Sequence, residues 1–181
     1  MAELDLARRL DRVESRAEIA EIVALYCRSC DDKDAPVLRS LFTDDAVVES
    51  KDGVMRSQGI DAIMTMYDGR FAALGVTAHW THDHMVRFDD ANPDLATGSL
   101  SGHAECYRNG RTLVASLRYD DEYRRVNGRW KFSRRILSFL YYVPVEEYGE
   151  ALGSELRQRA YGDRRPADFP ESIPGWKKGA A

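Results

Sequence analysis

The chain has 181 residues, of which 44% are hydrophobic and 31% charged, a balance that fits one ordinary folded domain with a real core. A formal net charge of −4 gives no basic footprint for nucleic acid, and the odd count of three cysteines does not make a disulfide framework. No apolar run approaches the ~20 residues that span a bilayer, and the polar N-terminus carries no signal-peptide core, so a cytoplasmic protein with free thiols and no membrane partner is expected.

Residues 4 to about 31 read as a helix, because Ile19, Ile22, Val23, Tyr26 and Cys30 keep the spacing of one buried stripe. Leu6, Leu10 and Val13 continue a weaker stripe, which predicts contact with a neighbouring subunit. Asp34 before Ala35-Pro36 is an N-cap signal for a short second helix, expected to end at Thr43-Asp44-Asp45. Ala46 to Ser50 and Val54 to Ser57 flank Asp52-Gly53 as a small hairpin. A third helix follows from about Ile60 to Leu74, stopped by Gly75.

The period then changes to two. Strands are expected at about 79–89, 95–108, 111–126 and 129–142, with Asn109-Gly110 and Asn127-Gly128 as tight hairpin turns. The fold class is α+β: a cone-shaped barrel of three N-terminal helices on a strongly curved mixed or antiparallel sheet with one open mouth. Residues 1–143 form this cone domain. Residues 144–181 form an extension that packs on the cone or on a neighbouring subunit; Val145 to about Tyr161 is expected to be helical, and the rest is proline-punctuated.

Three of the four histidines fall in His79-Trp80-Thr81-His82-Asp83-His84. Strict alternation puts His79, Thr81, Asp83 and Met85 on one face, a mixed face suited to a pocket, and Trp80, His82, His84, Val86 and Phe88 on the other. Asp31, at the end of the first helix, is the carboxylate best suited to orient His79 as a general acid/base. The plainer alternative is that Asp31 links two helices and His79 is a satisfied strand-end histidine. If Trp130 and Phe132 are core, alternation turns Lys131, Ser133 and Arg135 the other way, where Arg135 either binds a developing negative charge or sits in solvent. His103 and Glu105 share a strand face that the pattern leaves open. Cys27 and Cys30 form a C-x-x-C inside a helix with no second pair, so no metal site is expected.

The chain resembles the SnoaL-like, or scytalone dehydratase-like, branch of the nuclear-transport-factor-two-like superfamily over about residues 10 to 143. The resemblance rests on Ile22-Val23-Ala24-Leu25-Tyr26 followed by Asp31, on Leu41-Phe42-Thr43-Asp44-Asp45-Ala46, on His79 opening a strand, and on the run from Tyr119 to Arg135. The pattern is most similar to the hexachlorocyclohexane dehydrochlorinase and bile-acid dehydratase group. That likeness implies a histidine base on His79 oriented by Asp31, a tyrosine on Tyr26 and an arginine on Arg135. The second carboxylate of the bile-acid pattern has no match, since Ala104 falls near its place. The family further implies a hydrophobic small-molecule pocket, no metal or organic cofactor, and a homo-oligomer, either trimer or dimer.

The expected function is a dehydratase-type lyase acting on a hydrophobic ring compound such as a steroid, polyketide or aromatic-derived metabolite. Catalysis would fall to His79, Asp31, Tyr26 and Arg135, with Met85 and His103 as substrate-binding residues. The alternatives are an isomerase or cyclase using the same base, a non-catalytic binding or assembly module, and the small subunit of a ring-hydroxylating oxygenase.

Overall fold

A computed structural model describes residues 5–177 and residue 179. The first helix, α1, spans Leu6–Asp31, and the Asp5 carboxylate accepts from the Arg8 backbone N–H at its start. Its apolar stripe, Ile19, Ile22, Val23, Tyr26, Cys27 and Cys30, is buried, whereas Leu6, Leu10 and Val13 are exposed. Helix α2, Ala35–Ser40, is capped by the Asp34 carboxylate, which accepts from Val37 N–H at 3.0 Å. Helix α3 covers Ile60–Ala73. The Lys33 ammonium closes its C-terminal end by donating to the carbonyls of Phe71 and Leu74, where the helix dipole favours a cation. None of the described helices is long and apolar enough to cross a membrane.

Six strands form one curved, unclosed sheet: β1 Phe42–Ser50, β2 Arg56–Gln58, β3 Thr77–Phe88, β4 Leu95–Arg108, β5 Arg111–Val126 and β6 Arg129–Pro144, in the order β2-β1-β6-β5-β4-β3. The β3–β6 meander is antiparallel, and β1 joins it by pairing parallel to β6. Thr43-Asp44-Asp45 therefore does not end a helix but lies inside a strand that starts at Phe42. Both expected Asn-Gly turns form, with all four residues at the positive φ that a type I′ turn requires.

The helices cover the concave face, and the core between them is aromatic. The Tyr26 ring makes edge contacts with Phe42, Tyr67, Tyr119 and Phe132. Gly98 and Gly102 on β4 make this possible, because a Cβ there would lie 2.7 Å from Tyr123 Cε2 and 2.8 Å from Tyr119 Cε2.

Of the bulges in the β3–β6 meander, two decide which candidate residues face the core. On β3, His82 pairs with Ser101 and Met85 with Ser99, so Asp83 and His84 together oppose Leu100, with Asp83 at φ 55°. On β6, Phe132 pairs with Tyr123 and Arg134 with Glu122, which makes Ser133 the extra residue. Each extra residue inverts the alternation beyond it. His84, Val86 and Phe88 thus continue the inward face of Thr77, His79 and Thr81, and Arg135 joins Trp130 and Phe132 inside. The face assignments expected for Asp83, Met85, His84 and Arg135 are corrected accordingly.

Beyond Leu137, β6 has no β1 partner. The C-terminal segment takes that edge: Tyr142 N–H donates to the Arg157 carbonyl, and Phe139 and Asp168 exchange hydrogen bonds. Arg157 is buried and donates to the carbonyls of Leu140, Ser154 and Phe169 and to the Glu171 carboxylate. The helix expected to Tyr161 is only a 3₁₀ helix over Val145–Gly153, and irregular chain follows it.

Candidate active site

The end of α1 crosses the start of β3, and Asp31 grips that strand through three donors. Its Oδ1 accepts from Thr77 Oγ1 at 2.8 Å and lies 2.6 Å from His79 Nδ1. Its Oδ2 accepts from the His79 backbone N–H at 2.9 Å. Burial alone would raise the Asp31 pKa, but the hydrogen bonds from His79 and Thr77 outweigh it and hold the carboxyl below its ordinary range. An ionised carboxylate only accepts, so the imidazole proton sits on Nδ1 and the Nε2 lone pair is left free.

His79 lines a cavity between the helices and the concave sheet face. Its cross-strand neighbour Ala104 lines the same space with a small side chain. Asp31 does not line it; it stands behind His79, beside a surface depression with Arg28 and Asp32. The walls are mostly apolar, and the polar groups are few: Tyr26, Tyr67, Arg70, Thr77, Tyr119 and Tyr142. The hydroxyls of Tyr26 and Tyr67 share a hydrogen bond of 2.8 Å. Burial pushes both phenols well up, so both stay neutral donors.

Arg135 is adjacent but separate. It is fully buried, donates from Nε and Nη2 to Asp121 at 2.8 Å each, and packs its guanidinium on the rings of Tyr26, Tyr119 and Phe132. The Tyr123 hydroxyl donates to Asp121, and His84 Nε2 meets that hydroxyl at 3.1 Å. Burial lowers the His84 pKa, which suits a neutral ring donating to the phenol oxygen.

Tyr26 and His79 therefore share one cavity, with Asp31 directly behind it and Arg135 beneath the Tyr26 ring. Met85 and His103 are not brought there. The bulge after His82 turns Met85 outward, 55% exposed, and His103 stacks on Trp80 on the convex face with ring centroids 5.9 Å apart. Cys27 and Cys30 lie buried on α1.

Sequence reasoning missed Tyr67, Arg70 and Thr77. The signal for the first two was the helical spacing of Ile63, Tyr67, Arg70 and Leu74, which puts Arg70 on the inward stripe.

The sequence model of the SnoaL-like domain matches residues 11–136. No curated protein sequence matches the chain. Among solved structures, a type 2 hexachlorocyclohexane dehydrochlorinase is 22% identical, with a TM-score of 0.70 over 76% of this chain and 93% of that one. A Novosphingobium aromaticivorans protein provisionally described as a scytalone dehydratase is 20% identical, with a TM-score of 0.68 over 74% and 89% of the two chains. A nuclear-transport-factor-two-like protein from the same organism is 28% identical, with a TM-score of 0.61 over 77% and 92%. With the cone topology in place and the family match running from α1 into β6, the chain belongs to the SnoaL-like family of the nuclear-transport-factor-two-like superfamily.

Proposed function

We propose that the protein is a cofactor-independent lyase that eliminates water, or a comparable leaving group, from a hydrophobic ring compound such as a steroid, polyketide or aromatic-derived metabolite. The observation that carries this reading is the 2.6 Å contact between His79 Nδ1 and Asp31 Oδ1, with the ring on the cavity wall. Similar solved structures bear the names of a dehydrochlorinase and a dehydratase, which supports the same class.

In this reading His79 Nε2 takes a proton from a carbon next to a carbonyl. The electron pair forms the C=C bond, the β-hydroxyl departs, and the imidazolium returns the proton to it as water. Asp31 orients the ring and stabilises its charged form. The hydroxyls of Tyr26 and Tyr67 are bonded to each other, and the one that accepts in that pair keeps its own proton to donate to the carbonyl oxygen as it gains charge. Arg135 acts as a positioning residue through the Tyr26 ring rather than on the substrate, because it lies fully buried against that ring and is held by Asp121 through Nε and Nη2. General-base help is worth about 10²–10⁴-fold, and positioning and oxyanion stabilisation supply the rest.

Long-range ¹H–¹⁵N NMR of the imidazoles tests the assignment. His79 should carry its neutral-state proton on Nδ1, and Asp31→Asn should erase that preference. A wild-type ring protonated on Nε2 would remove the base. Ring β-hydroxyketones incubated with the protein should lose the mass of water, and His79→Ala should stop the loss. A product of unchanged mass would indicate isomerisation instead.

A further inference from the structure

We propose that Arg70 is a substrate-specificity residue that binds a carboxylate carried by the ring compound, so that the cavity selects hydrophobic ring acids. The inference rests on the cavity assigned above as the active site and names the class of compound it takes.

Arg70 belongs to the last turn of α3 and lines the same cavity as His79, Tyr26 and Tyr142. It also lines the side opening between α3 and Lys33. No hydrogen bond or ion pair joins its guanidinium to a described residue, and the groups that act on it electrostatically are Tyr67, Tyr26, Tyr142 and Cys30. Other arginines drawn out of solvent contrast with it: Arg125, Arg135, Arg157 and Arg159 each bind a carboxylate, from Asp11, Asp121, Glu171 and Glu147 respectively. A cation turned from water into an apolar wall is costly unless something pairs it. These four guanidiniums are paired within the fold, and Arg70 is left for a group that arrives from outside.

The chemistry of that group follows from the lining. Among the described residues no aspartate or glutamate lines the cavity to compete for Arg70 or repel an anion. The nearest polar neighbours are the phenols of Tyr26, Tyr67 and Tyr142, which burial keeps neutral and able to donate. Lys33 is committed to two helix carbonyls. Among the described residues that line the cavity, the Arg70 cation stands among apolar and phenolic side chains and matches one negative charge; a phosphate or sulfate dianion would keep a charge uncompensated. The planar guanidinium suits a carboxylate, which it meets through two parallel hydrogen bonds. Apolar side chains such as Met66, Leu117 and Phe139 supply the surface for the ring.

Isothermal titration calorimetry with 2-naphthoate and its neutral amide, 2-naphthamide, tests the proposal on the full-length protein. Wild type should bind naphthoate about tenfold or more tightly than naphthamide, the scale of a hydrogen bond to a charged group. Arg70→Gln should bring the two affinities together while leaving that for naphthamide intact, and Arg70→Lys should keep part of the difference. Thermal melts of both variants confirm folding, and the retained naphthamide affinity confirms an intact cavity. Equal affinities in wild type, undetectable naphthoate binding, or a preference that survives Arg70→Gln would each overturn the proposal. None of these outcomes involves proton abstraction, so the His79–Asp31 reading stands or falls separately on its NMR test.

Discussion

The guanidinium of Arg135 lies 4.0 Å from the centroid of the Tyr26 ring while its Nε and Nη2 are bound to Asp121. The pair is fully buried, so each charge depends on the other. Asp121→Ala or Arg135→Ala should therefore cost about 3–5 kcal/mol in urea unfolding. The double variant Arg135→Met with Asp121→Leu should recover most of that loss. Losses that simply add would show that the two side chains are not coupled.

The Asp31 carboxyl, held below its ordinary pKa by His79 and Thr77, ties stability to acid pH. A depressed folded pKa contributes stability above the unfolded value, about 3.9, and loses it as pH falls through the folded value. The stability difference between wild type and Asp31→Asn should shrink as pH drops below about 4. Chemical denaturation at stepped pH measures it, and a difference unchanged to pH 2 would contradict the hydrogen-bonded geometry.

Burial pushes the Cys27 thiol up to about 11 and the Cys30 thiol up to about 12. The thiolate is the reactive form, so both should be inert at neutral pH. A disulfide-exchange reagent at pH 8 should label none of the three buried cysteines rapidly in the native state and all three in denaturant. Fast native labelling of Cys27 or Cys30 would show an open α1.

Gly98 has no room for a side chain: a Cβ would meet Tyr123 Cε2 at 2.7 Å and His84 Nε2 at 3.1 Å. Gly98→Ala should destabilise by about 1–3 kcal/mol through overpacking. It should also shift the His84 imidazole resonances, because Tyr123 links His84 to Asp121. An unperturbed melting temperature would mean that β4 yields without strain.

Arg157 ties the C-terminal segment to the free edge of β6, and truncating it strands the buried carbonyls of Leu140 and Phe169. Arg157→Ala should cost at least about 1–3 kcal/mol. It should also expose the segment to limited proteolysis before the cone domain is cut. Simultaneous loss of both would mean that the segment and the cone unfold as one unit.

The local signals were legible because they act within a few residues. Asp34 caps α2 as its position promised, and Asn109-Gly110 and Asn127-Gly128 set their hairpins at positive φ. The meander, the inward stripe of α1 and the nearness of Asp31 to His79 followed from pattern and family likeness together. Which way later strand residues point was not legible. Alternation holds only in an unbroken ladder, and one unpaired residue at Asp83–His84 and another at Ser133 reverse the faces that follow, on β6 as far as the next bulge at Leu140. Met85 thus went out, and Arg135 went in to meet Asp121 under Tyr26. The sequence by itself determined the three N-terminal helices, the four-strand meander and its turns. Only the tertiary structure decided which charges meet inside, because bulge positions answer to cross-strand partners such as Leu100 and Tyr123 that lie far away along the chain.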